Sequence, residues 1–141
     1  MTNSRLDAAL LQAYRETGYE VFADPPCTLR VGVACEPLRA LHRRFGVECS
    51  AFVSACNPFS RRLDAAGNAA RHRALLQALA AAGRMCLEGA GRHPSNGWPA
   101  EPSVLVFGLP LEESCALGRR HEQNALVWCG ADAVPELILL R

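Results

Sequence analysis

Apolar residues recur along this chain with two periods, and the switches between them mark out its elements. Leu6, Leu10, Leu11 and Tyr14 fall on one side of a helix over residues 4–16, with Ser4 as its N-cap and Gly18 ending it. Tyr19 to Ala23 is a short strand, and Asp24-Pro25-Pro26 forces a turn. Thr28 to Val33 alternates, with Leu29, Val31 and Val33 on one face and Arg30 on the other, as in a half-exposed strand. Leu38, Leu41 and Phe45 form the stripe of a helix over Glu36–Phe45, which tolerates Pro37 in its first turn and ends at Gly46.

The second half reads the same way. Val47 to Ala55 is a strand of small apolar residues. Residues 62–82 form the longest helix, with Leu75, Leu76 and Leu79 toward the core and Gly83 as its stop. Arg84 to Leu87 is a brief strand, and residues 88–102, rich in Gly, Pro, Ser and Asn, read as a loop. Ser103–Phe107 and Ala125–Cys129 are unbroken apolar runs, as expected of central strands covered on both faces. Leu111–Arg120 is a helix between them, and Leu137–Leu140 is a last strand. The order is α-β-β-α-β-α-β-β-α-β-β, and several neighbouring strands can pair as hairpins. The expected fold is α+β or α/β: one domain over residues 1–141, a mixed, largely antiparallel sheet with helices packed on it.

Composition narrows the function. The 141 residues suffice for one buried core without metal or disulfide. Fifteen basic residues against fourteen acidic give a net charge of +1, which leaves no clustered basic excess for nucleic acid or an anionic membrane. All the basic residues are arginine, so lysine-based chemistry is excluded. The N-terminus shows no secretory pattern, and no apolar run approaches a membrane span of about 20 residues. The expectation is a cytoplasmic protein. Seven cysteines have no C-x-x-C spacing, and the four histidines do not complete a metal set. The thiols are expected to be reduced and packed as small hydrophobes, with no metal and no cofactor.

Three polar clusters border the apolar runs. In Ser54-Ala55-Cys56-Asn57-Pro58-Phe59-Ser60-Arg61 an Asn-Pro turn leads into the long helix. Asn57, Ser60 and Arg61 there suit a phosphate or carboxylate beside free helix N–H groups. Equally, Asn57 makes an Asx-turn and Ser60 or Asp64 caps the helix. Asn68, Arg71, His72 and Leu75 share a face of that helix, which points either into the same cleft or to water. In the second cluster, Trp98 closes the core or stacks on a planar ligand, while Glu101 is a general base or an arginine partner. In the third, Gln123 and Asn124 enter an apolar strand and either lock its entry or read a ligand's polar edge. His121 is an acid–base candidate by pKa alone. Cys56, with His72 or His121 as base, is a weakly supported nucleophile, because no local signature accompanies it.

The sequence around Asn57-Pro58-Phe59-Ser60, Asn68, Trp98-Pro99-Ala100-Glu101, Leu117-Gly118 and Gln123-Asn124-Ala125 resembles a small bacterial family of domains of unknown function, family 3293. The resemblance spans roughly residues 10–130. It implies that Asn57, Pro58, Ser60, Asn68, Trp98, Glu101, Gln123 and Asn124 act as one constellation, and it brings no mechanism. The pattern of the family it resembles usually has a larger aromatic residue in place of Cys56, and often an aromatic between Gly118 and Gln123, where this chain has Arg119 to Glu122, which argues against Cys56 and His121 as a catalytic core.

Two functions follow as expectations. In the first, a pocket holds an anionic or nucleotide-like metabolite. Asn57, Ser60, Arg61, Asn68, Arg71, Trp98, Gln123 and Asn124 bind it, and Glu101 serves as general base if chemistry occurs. In the second, the chain is a non-enzymatic interaction module, with Leu137–Leu140 as a possible homodimer edge. A helix-turn-helix over residues 36–55 ranks third, since its second segment reads as a strand. The pocket requires the three clusters to converge in one cleft.

Overall fold

The computed structural model describes residues 6–141. Its elements are α1 (Ala8–Glu16), β1 (Gly18–Val21), β2 (Cys27–Leu29), α2 (Glu36–Phe45), β3 (Ser50–Val53), α3 (Ala65–Ala81), β4 (Cys86–Arg92), β5 (Glu101–Phe107), α4 (Leu111–Arg120), β6 (Ala125–Cys129) and β7 (Pro135–Leu139), with a 3-10 turn at Pro58–Ser60 before α3. The strands form one sheet in the order β2-β1-β4-β5-β3-β6-β7, and every neighbouring pair is antiparallel. The α+β expectation stands, and the sheet is antiparallel throughout.

The sheet curls until the chain leaving one edge meets the other. Gly32 and Cys35, just after β2, donate backbone hydrogen bonds to Pro135 and Ala133 at the β7 edge, at 2.8 and 3.0 Å. Side chains alternate across the strands and feed two cores. Val21, Leu29, Phe52, Leu105, Phe107, Val127 and Cys129 point inward, where Leu38 and Leu41 of α2 cover them. Ala51, Val53, Val104, Val106 and Leu126 point outward beneath Leu75 and Leu79 of α3 and Leu117 of α4. This two-sided cover explains the unbroken apolar runs of β5 and β6.

Several boundaries differ from the sequence reading. The expected Ser4 cap lies outside the described residues; Asp7 caps α1, its carboxylate accepting from Leu10 N at 2.7 Å. The strand read to Val33 ends at Leu29, because the chain turns at Gly32 in a left-handed conformation and leaves Val33 56% exposed. The long helix begins at Ala65 rather than 62, with Asp64 accepting from Gly67 N at 2.7 Å.

The largest correction is residues 88–102. They are not a loop throughout: β4 continues to Arg92, and Glu101 already belongs to β5. Gly89 reflects crowding within a strand rather than a turn, whereas Gly97 does sit in a turn, with φ 77°. A Cβ on Gly89 would run into the Glu20 carbonyl of β1 and come within 3.1 Å of the Phe52 ring. No helix among the described residues is long and apolar enough to cross a membrane.

Gly89→Ala should therefore cost about 1–3 kcal/mol, a typical overpacking penalty. Gly91→Ala, where the nearest neighbour would lie at 3.7 Å, should change little. Urea denaturation of both variants checks the contrast.

Candidate functional site

The segment linking β3 to α3 is held in an unusual backbone. Asn57, Phe59 and Ser60 all have positive φ, at 48°, 52° and 59°, and Glu122 facing them has φ 58°. Such conformations cost non-glycine residues about 1–3 kcal/mol each, so neighbouring structure must impose them. Phe59 N donates to Glu122 O at 2.7 Å, tying the strained positions together.

Asn68 supplies much of the restraint. From the second turn of α3, its Oδ1 accepts from Asn57 N at 2.8 Å and its Nδ2 donates to Asn57 Oδ1 at 2.9 Å. Asn57 Oδ1 also accepts from Leu63 N at 2.9 Å. Arg71, one turn further along α3, donates through Nε to Ala55 O and through Nη2 to His121 O at 2.7 Å. The face carrying Asn68 and Arg71, half-buried, thus spends its polar groups on the protein's own loops. It pins the end of β3 to the turn before β6. Gln123 Nε2 adds bonds to Cys56 O and His121 O, both at 3.1 Å. Asn124 Nδ2 donates to Ser60 Oγ at 2.9 Å.

Beneath this lock lies a cavity of about 180 Å³. It opens on the inner face of the sheet, beyond the end that α2 fills. There the inward residues of β5 change from Phe107 and Leu105 to Ser103 and Glu101, and Phe52 of β3 is followed by Ser54. Tyr19 and Val127 complete the floor. Leu10, Ala13, Tyr14 and Thr17 of α1 form a roof, and Trp98 and Asn96 form one wall. The roof is fastened by polar contacts: Tyr14 Oη lies 2.6 Å from Ser60 Oγ, Tyr19 Oη donates to Tyr14 O at 2.6 Å, and His93 Nε2 lies 3.0 Å from Glu16 Oε1.

Glu101 sits at the polar end of this cavity. Burial raises its pKa, because desolvation disfavours the charged carboxylate; hydrogen bonds from Ser54, Asn57 and Trp98 act in the opposite direction. The Ser54 hydroxyl lies 3.0 Å from Glu101 Oε1. Burial also raises the Tyr14 phenol, an effect partly offset by Ser60 and Asn124 and reinforced by the negative charge of Glu101. The Tyr19 phenol is raised as well, mainly by burial. A buried carboxylate beside neutral phenols can accept a proton or a hydrogen bond from whatever occupies the cavity.

Of the residues singled out from sequence, Asn57, Ser60, Trp98, Glu101 and Gln123 line the cavity. Asn68, Arg71 and Asn124 hold the surrounding loops from behind, and Arg61 is exposed beyond them. The expected anion site at the start of the long helix is taken by protein groups, since Asp64 caps α3 and Asn57 accepts from Leu63 N.

Cys56 is buried, its thiol lies 3.6–3.7 Å from the Pro102 and Asn68 carbonyls, and burial raises its pKa, all of which suit packing rather than attack. His72 pairs with Glu88 at 2.9 Å, away from Cys56. His121 has a lowered pKa, first from burial and then from Arg71 and Arg120, and it does not line the cavity. All seven cysteines are free. No group of three or more metal-ligating side chains occurs among the described residues.

The sequence reading missed Tyr14, Tyr19, Ser54, His93 and Ser103 as cavity residues. Tyr14 follows Leu10 at helical spacing, so it read as an ordinary core position. His93 lay within the presumed loop. Period alone cannot separate a side chain that fills a core from one that lines a hole.

Two outcomes follow. Asn68→Ala leaves Asn57 N without its partner and should lower stability by about 1–3 kcal/mol in urea denaturation. Glu101 has a raised folded-state pKa, so its ionised form opposes folding above that pKa and the cost disappears as protonation completes. Glu101→Gln should therefore raise Tm at neutral pH, and the gain should shrink as pH falls through the raised folded-state pKa toward the ordinary carboxylate value of 4.5, below which it is gone. Paired thermal melts across pH test this.

No curated protein and no solved structure gives a significant match to the chain. One family does match, over residues 53–126, which run from the end of β3 to the start of β6 and include the Asn57 turn, α3, Trp98, Glu101 and Gln123. The match covers just over half of the chain and most of the lock and polar wall described above, and on that ground the chain belongs to the family described as Protein of unknown function (DUF3293).

Proposed function

We propose that this protein binds a small organic molecule in the cavity under α1. The observation that carries this reading is convergence. Asn57 and Ser60 from the first polar cluster, Trp98 and Glu101 from the second and Gln123 from the third meet on one cavity. Four strained backbone positions are held at its edge, and such strain concentrates where a site must be held in a set shape. Trp98, Tyr19 and Phe52 offer flat apolar surface, and Glu101 with Gln123 offers orientation. Glu101 is the group placed to act as general base on a bound ligand, as its burial suits that task. A cytoplasmic setting is part of the proposal.

The anionic-ligand version has less support than the pocket itself. Arg61 and Arg71 stand outside the lining, and no arginine lines the cavity among the described residues. The interaction-module alternative has less support too. Leu137, Ile138 and Leu139 of edge strand β7 are half-buried, and the exposed large apolar residues Phe22, Val33, Leu63, Met85 and Leu111 lie on separate segments.

A thermal-shift screen against nucleobases, nucleotides, amines, amino acids, sugar phosphates and dicarboxylates tests the reading. A ligand at about a hundred times its Kd should stabilise the wild type by about 2.7 kcal/mol. Its effect should drop in Glu101→Ala and in Trp98→Ala. Loss of binding in Arg61→Ala instead would restore the anion version, and no shift with any class would favour the interaction module.

A further inference from the structure

We infer that the ligand of this cavity presents a planar, positively charged edge of the amidinium or guanidinium type, which Glu101 receives. This rests on the binding function proposed above and names the class of molecule bound. The argument is an inventory of what the wall has left to offer. Gln123 spends its Nε2 on two backbone carbonyls, which leaves Oε1 as the free end of the amide. Ser103 Oγ donates to Glu101 O at 2.9 Å, leaving lone pairs open. Ser54 Oγ accepts from Cys56 N and directs its proton toward Glu101 Oε1 or Pro102 O. Ser60 Oγ is shared between Tyr14 and Asn124.

His93 has nothing spare. Its Nδ1 accepts from Ser95 N and Asn96 N at 3.1 and 3.0 Å, and its Nε2 faces Glu16. The Asn57 and Trp98 donors are directed at Glu101, and Asn96 Nδ2 at the outer wall is a donor left over; at the inner end the groups still available are acceptors, namely the remaining lone pairs of Glu101, Gln123 Oε1 and Ser103 Oγ.

Charge points the same way. Glu101 is the one carboxylate in the lining, and no arginine accompanies it there among the described residues; lysine is absent from the chain. Arginines around the site are engaged with other groups: Arg92, the nearest to Glu101 in sequence, pairs with Glu20 at 3.2 Å. Arg71 binds Ala55 O, His121 O and Glu122, and the Arg62 guanidinium lies 5.9 Å from the Trp98 ring centre, outside the lining. The Glu101 carboxylate accepts from the neutral donors of Ser54, Asn57 and Trp98 but has no protein cation in the lining, so a cationic ligand can still neutralise it, with one N–H on the remaining lone-pair position and a second toward Gln123 Oε1. The aromatic surfaces of Trp98, Tyr14, Tyr19 and Phe52 favour a flat cation over a bulky one. An anion in the same place would face Glu101 without compensation.

The test compares three probes of one shape and different charge: benzamidine, benzamide and benzoate. Calorimetric titration of the wild type should give benzamidine the lowest Kd, with benzamide at least about tenfold weaker and benzoate unbound. Glu101→Gln should weaken benzamidine by a similar factor while leaving benzamide nearly unchanged, and Arg73→Ala on the exposed side of α3 should alter neither. Benzamidine binding should also decline as pH falls and Glu101 protonates. Tighter binding of benzoate or benzamide, or undiminished benzamidine binding by Glu101→Gln, would overturn the inference and leave the cavity as a binding site for another class. Failure of all three probes on folded protein would overturn the inference as well, and the wider ligand screen then decides the binding function separately.

Discussion

The paired amides of Asn57 and Asn68 are the contact on which the site depends. Asn68 both accepts from the Asn57 backbone and donates to its side chain, so one residue of α3 fixes the position and the left-handed conformation of another at the end of β3. Once Asn57 is fixed, the next residues have little freedom. Phe59 and Ser60 are driven into positive φ, and Phe59 N finds its acceptor in Glu122. Ser60 is then delivered to Tyr14 and Asn124, which joins the loop to α1 above and to β6 beside it. Helix, loop and two strands share one small hydrogen-bonded knot.

The sheet makes the space that this knot borders. Its inner face has one register of side chains, and along β5 that register passes from Phe107 and Leu105 to Ser103 and Glu101. Where the residues are large and apolar, α2 closes over them with Leu38 and Leu41. Where they become short or polar, there is too little volume to fill the curl, and a hole remains beneath α1. The helix above is amphipathic, yet none of its residues is fully buried. It closes the hole partly through Tyr14 and Glu16 rather than through a packed apolar stripe.

Burial has a different consequence for each ionisable group along this wall. It raises the phenols of Tyr14 and Tyr19, keeping them neutral donors and acceptors across the physiological range. It raises the carboxyl of Glu101 too, but there Ser54, Asn57 and Trp98 work in the opposite direction. The strained loop therefore has an electrostatic role. By holding Asn57 near the carboxylate, it offsets part of the cost that burial places on the charged form.

The sequence by itself determined the elements and which residues were chemically notable. Helical period located α2 and α4 to the residue, because Pro37, Gly46 and the flanking strands punctuate them clearly. Continuous apolar runs located β5 and β6, because both faces are covered. Unusual polar residues at strand ends marked Asn57, Ser60, Trp98, Glu101 and Gln123, since such groups are costly near a core unless they have work there. Tertiary structure decided the rest. Glycine reads as a loop in sequence, and only the approach of β1 to β4 reveals Gly89 as a crowded strand position. Asn68 and Arg71 carry the same chemistry whether they meet a ligand or a neighbouring loop, and only the pairing of β3 with β6 sets which. Tyr14 and Tyr19 line a cavity rather than a core because the curl of the sheet leaves a volume there that no local pattern encodes.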